Sequence, residues 1–203
     1  MNLKKIALLI GILLNSLTSF SQTEKGKLYL GGSTSLGLNF TTHKIDTGSS
    51  LEKTGKTSAF TISPQIGYFV AKNLVAGLEM SMNFSKYSDT YNSSSNASNT
   101  YVFAPFLKYY FDVEKFRPFV IAEYGLGTVQ SKYSSRGFES EHKVNTSVLI
   151  LGGGITYFFN KTVGIELGLN YSRTALKPKN NSPYDVKSIN NGFSSFVGFV
   201  ILL

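Results

Sequence analysis

Between Ala76 and Ser85 apolar and polar side chains alternate without a slip. Ala76, Leu78, Met80, Met82 and Phe84 fall on one side, and Gly77, Glu79, Ser81, Asn83 and Ser85 on the other. A period of two is the pattern of a β-strand, whose successive side chains point to opposite faces. Residues 163–172 repeat it, with Val163, Ile165, Leu167, Leu169 and Tyr171 against Gly164, Glu166, Gly168, Asn170 and Ser172. A noisier version runs through 27–40, where Leu28, Leu30, Leu36, Leu38 and Phe40 oppose Tyr29, Gly31, Ser33, Ser35, Gly37 and Asn39. Residues 58–70, 101–111, 118–130, 145–159 and 192–203 also read as strands. That makes eight, each about ten residues or longer, where a soluble strand averages about five to six.

The connections alternate in length. Residues 71–73, 112–116 and 160–162 are tight turns, whereas 41–57, 86–99, 132–143 and 175–190 are long, polar and rich in Ser, Asn, Lys and Gly. Short turns at one rim and long loops at the other, with an even number of long strands, are the layout of an up-and-down barrel of the bacterial outer membrane. The chain also echoes itself. Ile66-Gly67-Tyr68-Phe69 and the following Gly77-Leu78-Glu79-Met80-Ser81-Met82-Asn83-Phe84-Ser85 are matched by Ile155-Thr156-Tyr157-Phe158 and Gly164-Ile165-Glu166-Leu167-Gly168-Leu169-Asn170-Tyr171-Ser172. Aromatic residues precede each short turn, as an interfacial girdle requires, and Phe40, Phe84, Tyr101, Tyr171 and Phe193 are placed to form a second girdle at the loop side.

The two faces decide the solvent. The polar face holds glycines, serines, Glu79, Lys108, Glu123 and Glu166, which cannot make a hydrophobic core; the other face holds nearly all the bulk. Turned toward water, that bulk would form an apolar band far beyond the few hundred Å² a soluble monomer tolerates. The expectation is an inverted barrel, with large residues toward lipid and small or charged ones inside. Eight closed strands leave room only for side chains, so the enclosed charges must pair; Lys108 is expected near Glu79 and Glu123.

Composition agrees. Charged residues make up 16%, glycine numbers 19 and aromatics reach 14%, a thinly charged mixture that suits β structure. Cysteine is absent, which removes disulfides, thiolate metal sites and an acylated N-terminal cysteine. Lys4 and Lys5, the apolar run Ile6 to Leu14, and small residues at Ser19 and Ser21 form the three-part pattern of a secretory signal peptide over 1–21, cut between Ser21 and Gln22. The barrel domain is then 22–203. Losing Lys4 and Lys5 lowers the formal charge from +8 to +6.

With these patterns and segments such as Pro64-Gln65-Ile66-Gly67-Tyr68-Phe69, Pro105-Phe106-Leu107-Lys108-Tyr109-Tyr110-Phe111 and Pro118-Phe119-Val120, the mature chain resembles the small outer-membrane β-barrel proteins of the OmpA/OmpX superfamily. The resemblance implies an all-β, eight-stranded antiparallel up-and-down transmembrane β-barrel. It also implies insertion by the outer-membrane assembly machinery, which reads a last strand with glycine followed by apolar residues three and five positions on. Gly198, Ile201 and Leu203 match that spacing, with Leu203 where the family favours Phe.

Catalytic signals are sparse. A membrane-boundary hydrolase needs a serine beside a histidine that a carboxylate orients. His43 lies in the first long loop, and Ser140-Glu141-His142 lies in the third, where a mobile loop would not preorganise a triad. Gly152-Gly153-Gly154 lacks the Lys-Ser/Thr and helix of a phosphate loop and suits a crowded barrel wall. The loop side carries eleven basic residues (Lys44, Lys53, Lys56, Lys86, Lys132, Arg136, Lys143, Arg173, Lys177, Lys179 and Lys187) against six acidic ones, Asp46, Glu52, Asp89, Glu139, Glu141 and Asp185. The expected function is a non-enzymatic, monomeric barrel serving envelope integrity or surface interaction, without cofactor, metal or nucleic acid. Its expected partners are membrane lipids including anionic glycolipid, and an unidentified extracellular ligand. The runner-up is a narrow porin-like channel or a binder of small hydrophobic or polar solutes.

Overall fold

The computed structural model describes residues 23–35, 41–46, 51–89, 93–113, 116–136, 138–178 and 188–203. The signal peptide, its cut between Ser21 and Gln22, and the girdle position Phe40 lie outside them. The strands are β1 (Leu28–Ser35), β2 (Thr41–Asp46), β3 (Leu51–Ala71), β4 (Leu74–Asp89), β5 (Ser94–Tyr110), β6 (Phe116–Ser135), β7 (Phe138–Phe158), β8 (Val163–Pro178) and β9 (Ser188–Leu202). From β2 to β9 each strand pairs antiparallel with the next in sequence, and β1 pairs with both β9 and β3, so the sheet closes on itself. Because β1 and β2 occupy consecutive lengths of the same β3 ladder, they form one staves' width of wall and the barrel has eight positions.

The expected short turns at 71–73 and 160–162 are present, and that at 112–116 lies partly outside the described residues. Asn73 turns β3 into β4 with φ at 66°, a left-handed geometry that asparagine tolerates better than most residues. The long loops are different. Strands β4 and β5 stay paired from Leu74↔Tyr109 up to Asp89↔Ser94, and β6 and β7 from Phe116↔Tyr157 up to Ser135↔Phe138. Most of 86–99 and 132–143 is therefore hairpin rather than loop. Beyond the hydrocarbon both faces of a strand meet water, so alternation vanishes while the ladder continues.

Inside-out packing holds along the middle of the strands. Leu78 and Leu167 are 59% and 55% exposed, while Glu79 and Glu166 between the outward positions are buried. Phe103, Leu107, Tyr124, Leu126, Leu151 and Phe199 continue the outer apolar belt. At the turn rim Tyr109 packs edge-on against Phe111, and Tyr157 touches Phe116 and Phe159. At the other rim Phe84 meets Tyr101, and Tyr171 meets Phe193.

One expectation about the interior is corrected. Bulk is not confined to the lipid face: Tyr29, Phe69, Val75, Phe106, Tyr110, Phe119, Phe158 and Phe196 are buried in a cluster with Ile121, Val200 and Leu202. In consecutive aromatics such as Tyr68-Phe69 and Tyr157-Phe158, one ring faces out and the next faces in. Such pairs carry no period-two signal because both faces are apolar there. The lumen near the turns is thus filled as a small barrel must be.

Candidate functional site: the barrel lumen

All four charged residues expected inside are buried there. Lys108 projects from β5 and Glu166 from β8, and Lys108 Nζ lies 2.6 Å from Glu166 Oε2. Glu166 Oε1 accepts hydrogen bonds from the hydroxyls of Tyr110 at 2.8 Å and Thr156 at 3.1 Å. Lys108 also donates to the Tyr29 hydroxyl at 3.1 Å and sits 4.2 Å above the Phe119 ring, a cation–π arrangement. Two acceptors and three ring faces thus stand around this ammonium, the kind of compensation a buried charge requires.

Lys108 lines one space with Glu79 and Glu123, near both as expected, but neither is its contact partner. Its direct ion pair is with Glu166, and its hydrogen-bonded path to Glu79 runs through a relay. The Tyr29 hydroxyl donates to Gln65 Oε1 at 2.8 Å, and Gln65 Nε2 donates to Glu79 Oε2 at 2.6 Å. Glu123 is buried, yet its Oε2 has no hydrogen-bond partner. Neighbouring strands favoured a pair among β4, β5 and β6, but a long lysine in a narrow lumen reaches across to β8. Tyr29, Gln65, Tyr110 and Thr156 were not singled out from sequence; each sits on the inward parity of its strand, which was the available signal.

Below the ion pair the N-terminal segment closes the turn end. Thr23 is fully buried; its hydroxyl donates to Asn73 Oδ1 and accepts from Arg117 Nη1, and its carbonyl accepts from the Asn73 backbone at 2.8 Å. Outside this plug Lys72 pairs with Asp112 at 3.0 Å. The hydrogen bond and charge of Lys72 hold the Asp112 carboxyl below its ordinary value. Above the ion pair the lumen opens into two adjoining spaces of about 370 and 320 Å³ that share Glu79, Ser81, Glu123, Val148, Ile150 and Thr174 as lining.

On the exposed hairpin, Ser140 Oγ and His142 Nε2 stand 3.0 Å apart, since residues two apart on a strand share a face. This pair is not held in a mobile loop, as expected from sequence; it lies in the β6–β7 ladder. The nearby Glu139 bonds Lys132 at 2.9 Å, not the imidazole, and the pair is solvent-exposed. Among the described residues no group of three or more His, Asp or Glu is placed to hold a metal. Gly198 lies in the β9 ladder opposite Glu166, and Ile201 opposite Val163 and Leu30. Leu203 joins Leu28 by two backbone hydrogen bonds, both 2.9 Å.

A closed antiparallel barrel with an apolar belt between two aromatic rims and an enclosed ion pair defines an integral barrel of the outer membrane. The chain belongs to the family described as outer membrane protein beta-barrel domain, whose model matches residues 7–195. No curated protein matches it. Among solved structures it is similar to Neisserial surface protein A, at 15% identity and a TM-score of 0.45, covering 87% of this chain and 99% of that one. It is also similar to OprG from Pseudomonas aeruginosa, at 13% identity and a TM-score of 0.48, covering 91% and 99%. The N-terminal β-barrel domain of OprF from the same organism gives 12% identity and a TM-score of 0.44, covering 88% and 98%.

Proposed function

We propose that this barrel is a non-conducting, non-enzymatic membrane anchor that presents its long hairpins as a contact surface at the cell exterior. The observation that supports this reading is the filled lumen floor, where Phe69, Tyr110, Phe119 and Phe196 pack around the Lys108–Glu166 pair. A narrow channel through the same lumen is the competing reading, favoured by the two spaces above that floor.

The basic hairpins are suited to anionic lipid headgroups, because Lys86, Lys132, Lys143, Arg173 and Lys177 all lie beyond the apolar belt. The same reading includes export by the segment 1–21 and recognition of Gly198, Ile201 and Leu203 by the outer-membrane assembly machinery. It treats Ser140 and His142 as surface residues: cells expressing the protein keep lipid A of unchanged mass, and a mass change dependent on Ser140 establishes catalysis instead. Planar bilayers test the main claim. The purified protein gives no steady current, and a current that Lys108→Ala alters establishes the channel.

A further inference from the structure

We propose that the space above the lumen floor is a binding site for a small organic ammonium ion, with the charged head between Glu79 and Glu123 and an apolar body against the walls above. Charge is the first argument. Lys108, the one buried lysine among the described residues, spends its direct contact on Glu166 and acts on Glu79 and Glu123 only from a distance, so the two carboxylates that line the space together have no cation in contact with them. Buried charges without a counter-charge are costly.

Unpartnered atoms are the second argument. Glu123 Oε2 and Thr146 Oγ1 line the same 370 Å³ space, belong to side chains only 5% and 4% exposed, and have no hydrogen-bond partner. Ser81 and Asn83 on the other side are already bonded to Ser63 and Thr61. The free positions are a carboxylate oxygen and a hydroxyl, both able to accept, and an ammonium group carries three N–H donors with a positive charge. The third argument is the wall. Val102, Val129, Val148 and Ile150 line the space, which a strongly hydrated metal ion would leave unused. A volume of about 370 Å³ falls in the range of small-molecule pockets. Ala104 and Gly125 supply the room, being the smallest residues of that wall.

The site goes beyond the surface reading and does not depend on whether the floor conducts. Bilayer currents test that reading, and titrations test this one. The purified protein in lipid nanodiscs is titrated calorimetrically with n-pentylammonium chloride, pentanol and calcium chloride. Pentylammonium binds saturably at one per barrel, pentanol binds far more weakly, and Glu123→Gln lowers the ammonium affinity by about tenfold or more, as loss of a charge-assisted bond requires. Val148→Phe, which fills the apolar wall and keeps both carboxylates, also abolishes binding. Heat-modifiable gel mobility verifies that each variant is folded. Equal pentylammonium uptake by wild type and Glu123→Gln overturns the proposal as simple lipid partitioning. Saturable calcium binding without ammonium binding overturns it in favour of a metal site, and no binding of any probe overturns it outright.

Discussion

Lys108 on β5 and Glu166 on β8 meet at 2.6 Å although two strands separate their positions in the wall, so their contact crosses the lumen. Both are almost wholly buried, and the carboxylate also holds Tyr110 and Thr156. Removing one partner leaves the other charge enclosed without compensation. Lys108→Ala is expected to destabilise the barrel by about 3–5 kcal/mol. Urea unfolding of the refolded protein measures this, and Lys108→Ala combined with Glu166→Gln recovers part of the loss, because the second change removes the stranded charge.

Glu123 predicts the opposite sign. Its Oε2 is buried without a hydrogen-bond partner, the like charge of Glu79 acts on it, and Lys108 offsets this only from a distance. Exchange for an amide of the same shape removes a buried charge and breaks no hydrogen bond of Oε2. In the absence of ligand, Glu123→Gln should leave stability unchanged or raise it by about 1 kcal/mol. A loss as large as that of Lys108→Ala, in the same urea assay, would contradict the assignment of Glu123 as a carboxyl without a contacting partner.

The fold was legible wherever one face met lipid. Leu78 against Glu79 and Ile165 against Glu166 specify both the strand and its direction, since burial of charge and exposure of bulk leave a single consistent register. Two regions were not legible. In the hairpin extensions, pairs such as Ser85↔Ser98 and Lys132↔Glu141 have polar residues on both faces, so strand and loop look alike. At the floor, Phe69 and Phe158 face inward beside outward Tyr68 and Phe159, and apolar neighbours erase the alternation. Of the site, the four charges could be placed inside, but their pairing could not. Parity tells which way a side chain points and says nothing of how far it reaches across the lumen.

Asp112 carries a pH prediction. Its carboxyl is held below the ordinary aspartate value, first by the hydrogen bond from Lys72 and then by that lysine's charge. A carboxyl with a depressed folded value stabilises fully above its unfolded value, and that contribution is lost as pH falls through the folded value. The Lys72–Asp112 link therefore persists through neutral and mildly acidic pH and fails only below the usual carboxylate range. Carbon-13 NMR of Asp112 should show a midpoint below the ordinary aspartate value, rising toward it in Lys72→Ala. Because the pair is exposed, high salt should shrink the difference. A midpoint unchanged by Lys72→Ala would refute the link.

Gly154 and Gly192 separate wall crowding from general tolerance. A Cβ added at Gly154 would lie 2.2 Å from the Leu167 carbonyl oxygen, 2.8 Å from Gly168 Cα and 2.9 Å from the Phe119 ring. Two of those atoms belong to the β8 backbone, which pairs with β7 through Gly154↔Gly168 and Ile155↔Leu167, so the wall cannot yield without opening the ladder. A Cβ at Gly192 would meet nothing within 4 Å. Gly154→Ala is therefore expected to cost about 1–3 kcal/mol in urea unfolding, the usual range for overpacking. Gly192→Ala should stay within about 0.5 kcal/mol, as surface substitutions do. Equal effects at the two positions would mean that the contact of β7 with β8 is looser than the ladder implies, and with it the close wall that backs Phe119 and the floor.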